Sequence, residues 1–195
     1  MKLVFATHNQ HKVEEVQKML PDFEIVSLTD IGFHDEIEET GKTFEENATI
    51  KAEAIYKATG LNVFSDDSGI TIEALGGAPG IYSARYAGTG NGRDNIDKVL
   101  LNMEGETNRK AAFVCVICLY INGEKKIFEG IVNGEVLHQI EGENGFGYDP
   151  IFKPEGYDLN FAQMPLSEKN KISHRALAIS ELKKISVKFL IRIFF

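Results

Sequence analysis

The chain predicts an α/β fold, and three features of its 195 residues carry that prediction. A strand, a polar loop and an amphipathic helix open it. A second helix, capped at Thr43, separates two further strands, and two long strands meet across Asn122-Gly123. The length, with 43% hydrophobic and 26% charged residues, suits one domain with a full core, able to divide into two lobes. A net charge of −8 argues against a broad nucleic-acid footprint, so a polyanionic ligand must be met by a few focused cations or a metal ion. The apolar run in MKLVFATHNQ is too short for a signal peptide, and no stretch approaches the ~20 apolar residues of a membrane span. A cytoplasmic protein with no nucleic-acid or membrane partner is expected.

Lys2–Ala6 reads as a strand, Thr7–Lys12 as a polar loop, and Val13–Leu20 as a helix with Val13, Val16, Met19 and Leu20 on its apolar face. Neither G-x-x-x-x-G-K-[ST] nor G-x-G-x-x-G occurs. Lys12 nevertheless falls in the first helical turn, where the macrodipole disfavours a cation unless an anion is bound.

A strand Glu24–Leu28 leads to the acidic loop Thr29–Lys42, where Asp35, Glu36, Glu38 and Glu39 are candidates for a hard divalent cation, although a solvated acidic loop is the stronger reading for most of them. Thr43 caps a helix running to Thr59, and Glu46 completes a capping box, a structural role. Phe44, Ala48, Ala52 and Ile55 form its apolar face, with Asn47 and Lys51 on a neighbouring one.

Val63 and Phe64 read as the end of a buried strand whose mouth carries Asp66, Asp67, Ser68 and Gly69. Side chains alternate along a strand, so the two aspartates are expected to do different jobs, only one facing a given ligand. A turn and a site both fit this tetrapeptide. Gly76, Gly77, Pro79 and Gly80 then form a tight connection, followed by the polar segment Tyr82–Arg85.

Asp94–Met103 reads as a helix, and Ala111–Asn122 and Lys125–Leu137 as strands of a hairpin able to carry a second lobe or a dimer contact. Cys115 and Cys118, spaced C-x-x-C, lie within the first of these strands; three residues apart they point to opposite faces, against a metal or redox pair. In the loop Glu141–Pro150, glycines at 142, 145 and 147 are expected to expose Phe146, Tyr148 and Asp149, an aromatic there being able to stack on a planar base; rings tucked into the core are the alternative. Ser173 reads as the N-cap of a helix carrying Ala176, Leu177, Ile179 and Leu182, which places His174 and Arg175 in its first turn. With Lys12, they point to one anionic or electron-rich ligand. The tail VKFLIRIFF after Ser186 carries no functional reading; a strand end, an interface and a truncated terminus all fit it.

THNQHK, EETG with TFEENA, SDDSG, LGGAPGIYSARYAG, GFGYDPIF and SEKNKISHRAL, in that order, resemble the motifs of the inosine triphosphate pyrophosphatase family, and the resemblance covers the chain to about Lys184. It implies a two-lobed mixed sheet with flanking helices and a central nucleotide cleft, within one ITPase-like domain over residues 1–195. It also implies a homodimer and Mg²⁺-dependent hydrolysis of ITP, dITP or XTP to the monophosphate and pyrophosphate.

By resemblance, Thr7, His8, Asn9, Gln10, His11 and Lys12 bind substrate, with Thr7, Asn9 and Lys12 on the triphosphate. Glu38 is the acidic metal ligand, with Glu39 a less favoured neighbour, and Asp67 is both metal ligand and general base. Lys51 reaches phosphate and Ser68 touches substrate. Phe146 stacks on the purine with Gly147, Tyr148 and Asp149 completing that wall, Lys169, His174 and Arg175 line the base pocket, and Asp66 is structural. His8 stands where many members carry glycine, and the tail is atypical. Two alternatives stay open: a house-cleaning pyrophosphatase for other modified nucleotides, and a non-catalytic nucleotide-binding module.

Overall fold

In a computed structural model of the chain, which describes the backbone of residues 2–194 and the side chains of residues 2–184, β1 (Lys2–Phe5) lies between β2 (Glu24–Val26) and β3 (Val63–Ile72). Both pairings are parallel, with Lys2 opposite Glu24 and Phe5 opposite Phe64. Leu3, Val4 and Phe5 are buried without alternation, as a strand covered on both faces requires. The Phe5 and Phe64 rings stack at 4.4 Å, and burying each contributes about 1.5–3 kcal/mol. The six-stranded sheet continues through β4 (Lys110–Ile121), β5 (Glu124–Val136) and β6 (Phe152–Pro154), with β5 and β6 antiparallel. A mixed sheet with flanking helices is thus the architecture the sequence predicts.

Helix α1 (Gln10–Met19) begins three residues earlier than the apolar periodicity suggests, because Asn9 caps it by accepting from the Lys12 amide at 3.3 Å. Thr43 caps α2 (Phe44–Thr59), accepting from the Glu46 amide at 3.1 Å, and the helix ends at Gly60 in the left-handed conformation. Glu46 returns its carboxylate to the Lys42 amide, one residue before the cap. Asn91 caps α3 (Gly92–Asn102). Asn122 and Gly123 both take positive φ, 52° and 85°, the pair of values that a two-residue hairpin needs.

Two boundaries differ from expectation. β3 does not stop at Phe64 but runs through SDDSG to Ile72, so both aspartates sit mid-strand. Here tertiary partners override the turn preference of Asp, Ser and Gly. Ser173 stands directly ahead of α5 (His174–Phe194), where its N-cap role is expected, and it also closes a short helix the sequence did not show, α4 (Leu166–Ile172), its amide donating to the Lys169 carbonyl. The apolar tail, with a strand end among its expectations, continues α5; its side chains lie outside the described residues.

The chain divides into two compact units. The first comprises Met1–Asp67, Cys115–Gly130 and Arg175–Phe195, and its core gathers Leu3, Phe5, Val16, Leu20, Phe64, Cys115, Ile117, Leu119, Ala178, Ile179 and Leu182. The second comprises Ser68–Val114 and Ile131–His174, built on Ile70, Ile72, Val99, Met103, Phe113, Phe152 and Phe161. Cys115 and Cys118 are both buried free thiols, and burial pushes them up to about 12 and about 11.

Candidate active site

Within the first unit, β3 presents Asp66 and Asp67 to different neighbours, as strand alternation demands. Asp66, 2% exposed, accepts from Lys12 Nζ at 2.7 Å and from Arg175 Nε and Nη2, each at 3.1 Å. The remaining arm of the Arg175 fork, Nη1, donates to Glu15 on α1. Burial works against the Asp66 charge, but Lys12, Arg175 and Lys51 outweigh it and hold the carboxyl well below the usual range. Of the three side chains expected to oppose the dipoles of α1 and α5, Lys12 and Arg175 do share an anion, and it is internal, the carboxylate of Asp66, whereas His174 stacks on Phe113. Arg175, expected to offer its fork to a base edge, is 1% exposed and directs it at Asp66 and Glu15.

Asp67, 8% exposed, faces α2. Its Oδ2 accepts from Asn47 Nδ2 at 3.1 Å, and its Oδ1 stands 3.7 Å from Lys51 Nζ. Lys51 also pairs with Glu39 at 2.6 Å. Burial raises the Asp67 pKa, and Lys51 and Asn47 offset that only in part while Glu39 adds to it. For Lys51 burial disfavours the charge, yet Asp67, Asp66 and Glu39 leave it above its ordinary value. Of the two adjacent glutamates, Glu39 is the one brought to this group, whereas Glu38 is exposed. The donors are hard carboxylate oxygens, a set suited to Mg²⁺, and among the described residues no cluster of three or more His, Cys, Asp or Glu could hold a metal unaided.

The loop ahead of α1 uses its polar groups on itself: Thr7 Oγ1 accepts from the Asn9 amide at 3.1 Å, while His8, Asn9, Gln10 and His11 are exposed and Lys12 is half-buried.

Within the second unit, the GFGYDP loop folds around the Asp149 carboxylate. Asp149 Oδ2 accepts from the Phe146 amide at 2.8 Å and from Lys169 Nζ at 2.7 Å, and Lys169 Nζ stands 4.7 Å from the Phe146 ring centre. A Cβ at Gly145, φ +79°, would come within 2.2 Å of that oxygen, so only glycine closes this turn. The expectation that the loop exposes two aromatics and a carboxylate is corrected. Tyr148 is buried, its hydroxyl donating to the Ser83 carbonyl at 2.8 Å; Asp149 is buried against Lys169; Phe146 alone stays half-exposed, beside exposed Gly147. The core wins because a tyrosine with a hydroxyl partner loses little on burial. Ser68 is half-buried on β3, and His174 stacks on Phe113 at 4.6 Å with planes 7° apart.

Sequence reasoning gave no role to Asn47, Glu15 or Phe113. Only Asn47 left a trace, as a poor helix former one turn before Lys51 on the same face. A broad concavity of about 1490 Å³ in the second unit, walled by Glu73, Arg109, Lys153 and Tyr157, contains none of the predicted site residues. Two of its cations have partners within the protein: Arg109 donates to three backbone carbonyls and Lys153 pairs with Glu135 at 2.6 Å.

The Ham1 family model matches residues 3–185. The chain belongs to the Ham1 family. Among its relatives, a Flavobacterium psychrophilum protein named dITP/XTP pyrophosphatase is 49% identical over 184 residues, 93% of this chain and 97% of that protein. A Bacillus subtilis protein of the same name is 48% identical over 188 residues, covering 93% and 95%. The Staphylococcus aureus Ham1 protein structure aligns with a TM-score of 0.89 at 43% identity, over 96% of this chain and 99% of that one. The resemblance drawn from six motifs is thereby borne out, and Ham1 membership accounts for the fold. Among the described residues, no helix is long and apolar enough to cross a membrane.

Proposed function

We infer that this Ham1 chain is a nucleoside triphosphate pyrophosphatase, hydrolysing dITP, XTP and ITP to the monophosphate and pyrophosphate and so clearing non-standard purines from the nucleotide pool. Relatives at 48–49% identity over nearly the whole chain carry the name dITP/XTP pyrophosphatase. The observation that carries the reading is Asp67: a buried carboxylate with raised pKa, held by an amide and set beside Lys51 and Glu39. A raised pKa suits a group that must accept a proton near neutrality.

Asp67 and one carboxylate of the Glu38–Glu39 pair are the residues to hold Mg²⁺, which when bound supplies neutralisation of phosphate charge. Asp67 orients the attacking water and takes its proton. The water oxygen bonds to the α-phosphorus, the bond from that phosphorus to the bridging oxygen breaks, and pyrophosphate leaves. Lys12 and Lys51 offset the charge on the departing group, and Thr7 and Asn9 sit with Lys12 at the α1 N-terminus to take phosphate oxygens. His8, Gln10 and His11, exposed beside them, and Ser68 on β3 complete the substrate contacts.

The Phe146 ring stacks on the purine, a contact worth about 1–3 kcal/mol. Lys169 and His174 offer donors to the 6-oxo edge, which adenine replaces with an amino group, leaving those donors unpaired. Gly147 keeps the wall open beside Phe146, while Tyr148 and Asp149 support it from within. Arg175 serves the base side only through N–H groups not spent on Asp66 and Glu15. The two compact units are read as the lobes of one domain, a homodimer follows from the resemblance, and the cytoplasm is the expected compartment.

The test is product analysis with Mg²⁺ and ITP, XTP, GTP or ATP in parallel. Release of IMP and pyrophosphate from ITP, with ATP nearly untouched and EDTA abolishing turnover, is expected. Release of orthophosphate, or equal turnover of all four, refutes the reading.

A further inference from the structure

Asn47 sits on the first turns of α2, 0% exposed, with both ends of its carboxamide engaged. The Gly41 backbone N–H lies 2.9 Å from Oδ1, and because an N–H can only donate, the oxygen of the amide must face it. The amide nitrogen is thereby turned to Asp67 Oδ2, at 3.1 Å. That nitrogen can only donate in its turn, so the Asp67 oxygen it meets is the acceptor. Direction thus passes from a backbone amide through Asn47 to one chosen oxygen of Asp67.

We propose that Asn47 is a positioning residue that occupies Oδ2 of Asp67 and so reserves Oδ1, the oxygen beside Lys51, for metal or water. The proposal rests on the reading of Asp67 as metal ligand and proton acceptor. It also gives Gly41 a reason: a Cβ there would stand 2.6 Å from Asn47 Oδ1 and 2.7 Å from the Glu46 Cβ, so another residue would push away the loop that carries Glu38 and Glu39. One buried amide then fixes both the reactive carboxylate and the end of the acidic loop. Buried groups that orient a reactive side chain typically change activity 10- to 100-fold when altered.

Asn47→Asp tests this with little change of shape, since the new side chain still accepts from Gly41 but has no N–H for Asp67. The expected result is a kcat on ITP lowered about 10- to 100-fold, with the Mg²⁺ concentration that gives half-maximal activity raised as well. A merely structural Asn47 would lower the melting temperature and leave kcat per folded molecule unchanged, and that overturns the proposal. NMR hydrogen exchange on the unsubstituted protein decides the geometry even if the variant does not fold. One Asn47 carboxamide proton should be protected, and that protection should be lost in Asp67→Ala. Two Asn47 protons exchanging as freely as exposed amides overturn the proposal. Failure of the wild type to release pyrophosphate from ITP would sink the functional reading instead, leaving the hydrogen bonds to be judged by exchange.

Discussion

On one face of β3, Asp66 is closed in by Lys12 and Arg175; on the other, one residue along, Asp67 meets an amide and a lysine 3.7 Å away that Glu39 shares. Both are buried, and burial alone would raise both pKa values. Two cations in direct contact reverse that for Asp66, whereas Lys51, divided between two carboxylates, does not for Asp67. Two identical side chains are thus given opposite tasks by what faces them. A saturated carboxylate is a structural part, and an under-compensated one is available for chemistry.

The contrast is tested most severely by replacing each acid with its amide. Asp67→Asn should lower kcat about 10²- to 10⁴-fold, the range for loss of a general base, while chemical denaturation shows equal or greater stability than wild type. The sign follows from linkage: a carboxyl with folded pKa above its unfolded value costs stability once ionised, and the amide removes that cost. Asp66→Asn should do the reverse first, destabilising by about 3–5 kcal/mol because Arg175 and Lys12 lose their shared partner in a buried site. If Asp66→Asn is as stable as wild type, the division of labour drawn here is wrong.

Acid sharpens the same point. The folded pKa of Asp66 is depressed, so its contribution to stability is complete above the unfolded value of about 3.9 and is lost as pH falls below it. Denaturant midpoints measured from pH 5 downward should fall in the wild type and fall less steeply in Asp66→Asn. Next in size is the glutamate pair. Glu39→Gln and Glu38→Gln should separate in the Mg²⁺ concentration that gives half-maximal activity, and the ligand is whichever raises it about tenfold or more. Phe146→Ala, far from β3 in role, should weaken binding of a non-hydrolysable α,β-methylene ITP analogue, measured by calorimetry with Mg²⁺, by about 1–3 kcal/mol and leave stability nearly unchanged, because its ring is half-exposed.

What could be read from the residues follows the range over which each signal acts. The Thr43 cap, the Thr59 terminus, the hairpin at Asn122-Gly123 and the opening strand β1 are local patterns, and the structure reproduces them within a residue or two. The course of β3 through SDDSG could not be read, because what makes buried aspartates tolerable there comes from Lys12 and Arg175, the latter 109 residues on. Glu15 meets Arg175 across 160 residues. Tyr148 failed for the same reason: its hydroxyl partner, the Ser83 carbonyl, is 65 residues away. The different duties of the two aspartates were legible nonetheless, since alternation along a strand needs only adjacency. Asn47 was visible as a face but not as a contact, because Gly41 and Asp67 come to it from opposite directions along the chain.

The segmentation of the two units also sets an order of events during synthesis. A ribosome delivers a chain from its N-terminus, and a domain made of one continuous stretch can close as soon as it has emerged. Here the core begun by Leu3 and Phe5 needs Ala178, Ile179 and Leu182, so no nascent chain shorter than about 180 residues can seal it. The second unit ends at His174 and has its whole apolar complement earlier. The unit that begins first is therefore completed last, and its apolar surface stays open to chaperones, or to misassociation, for nearly the whole of translation.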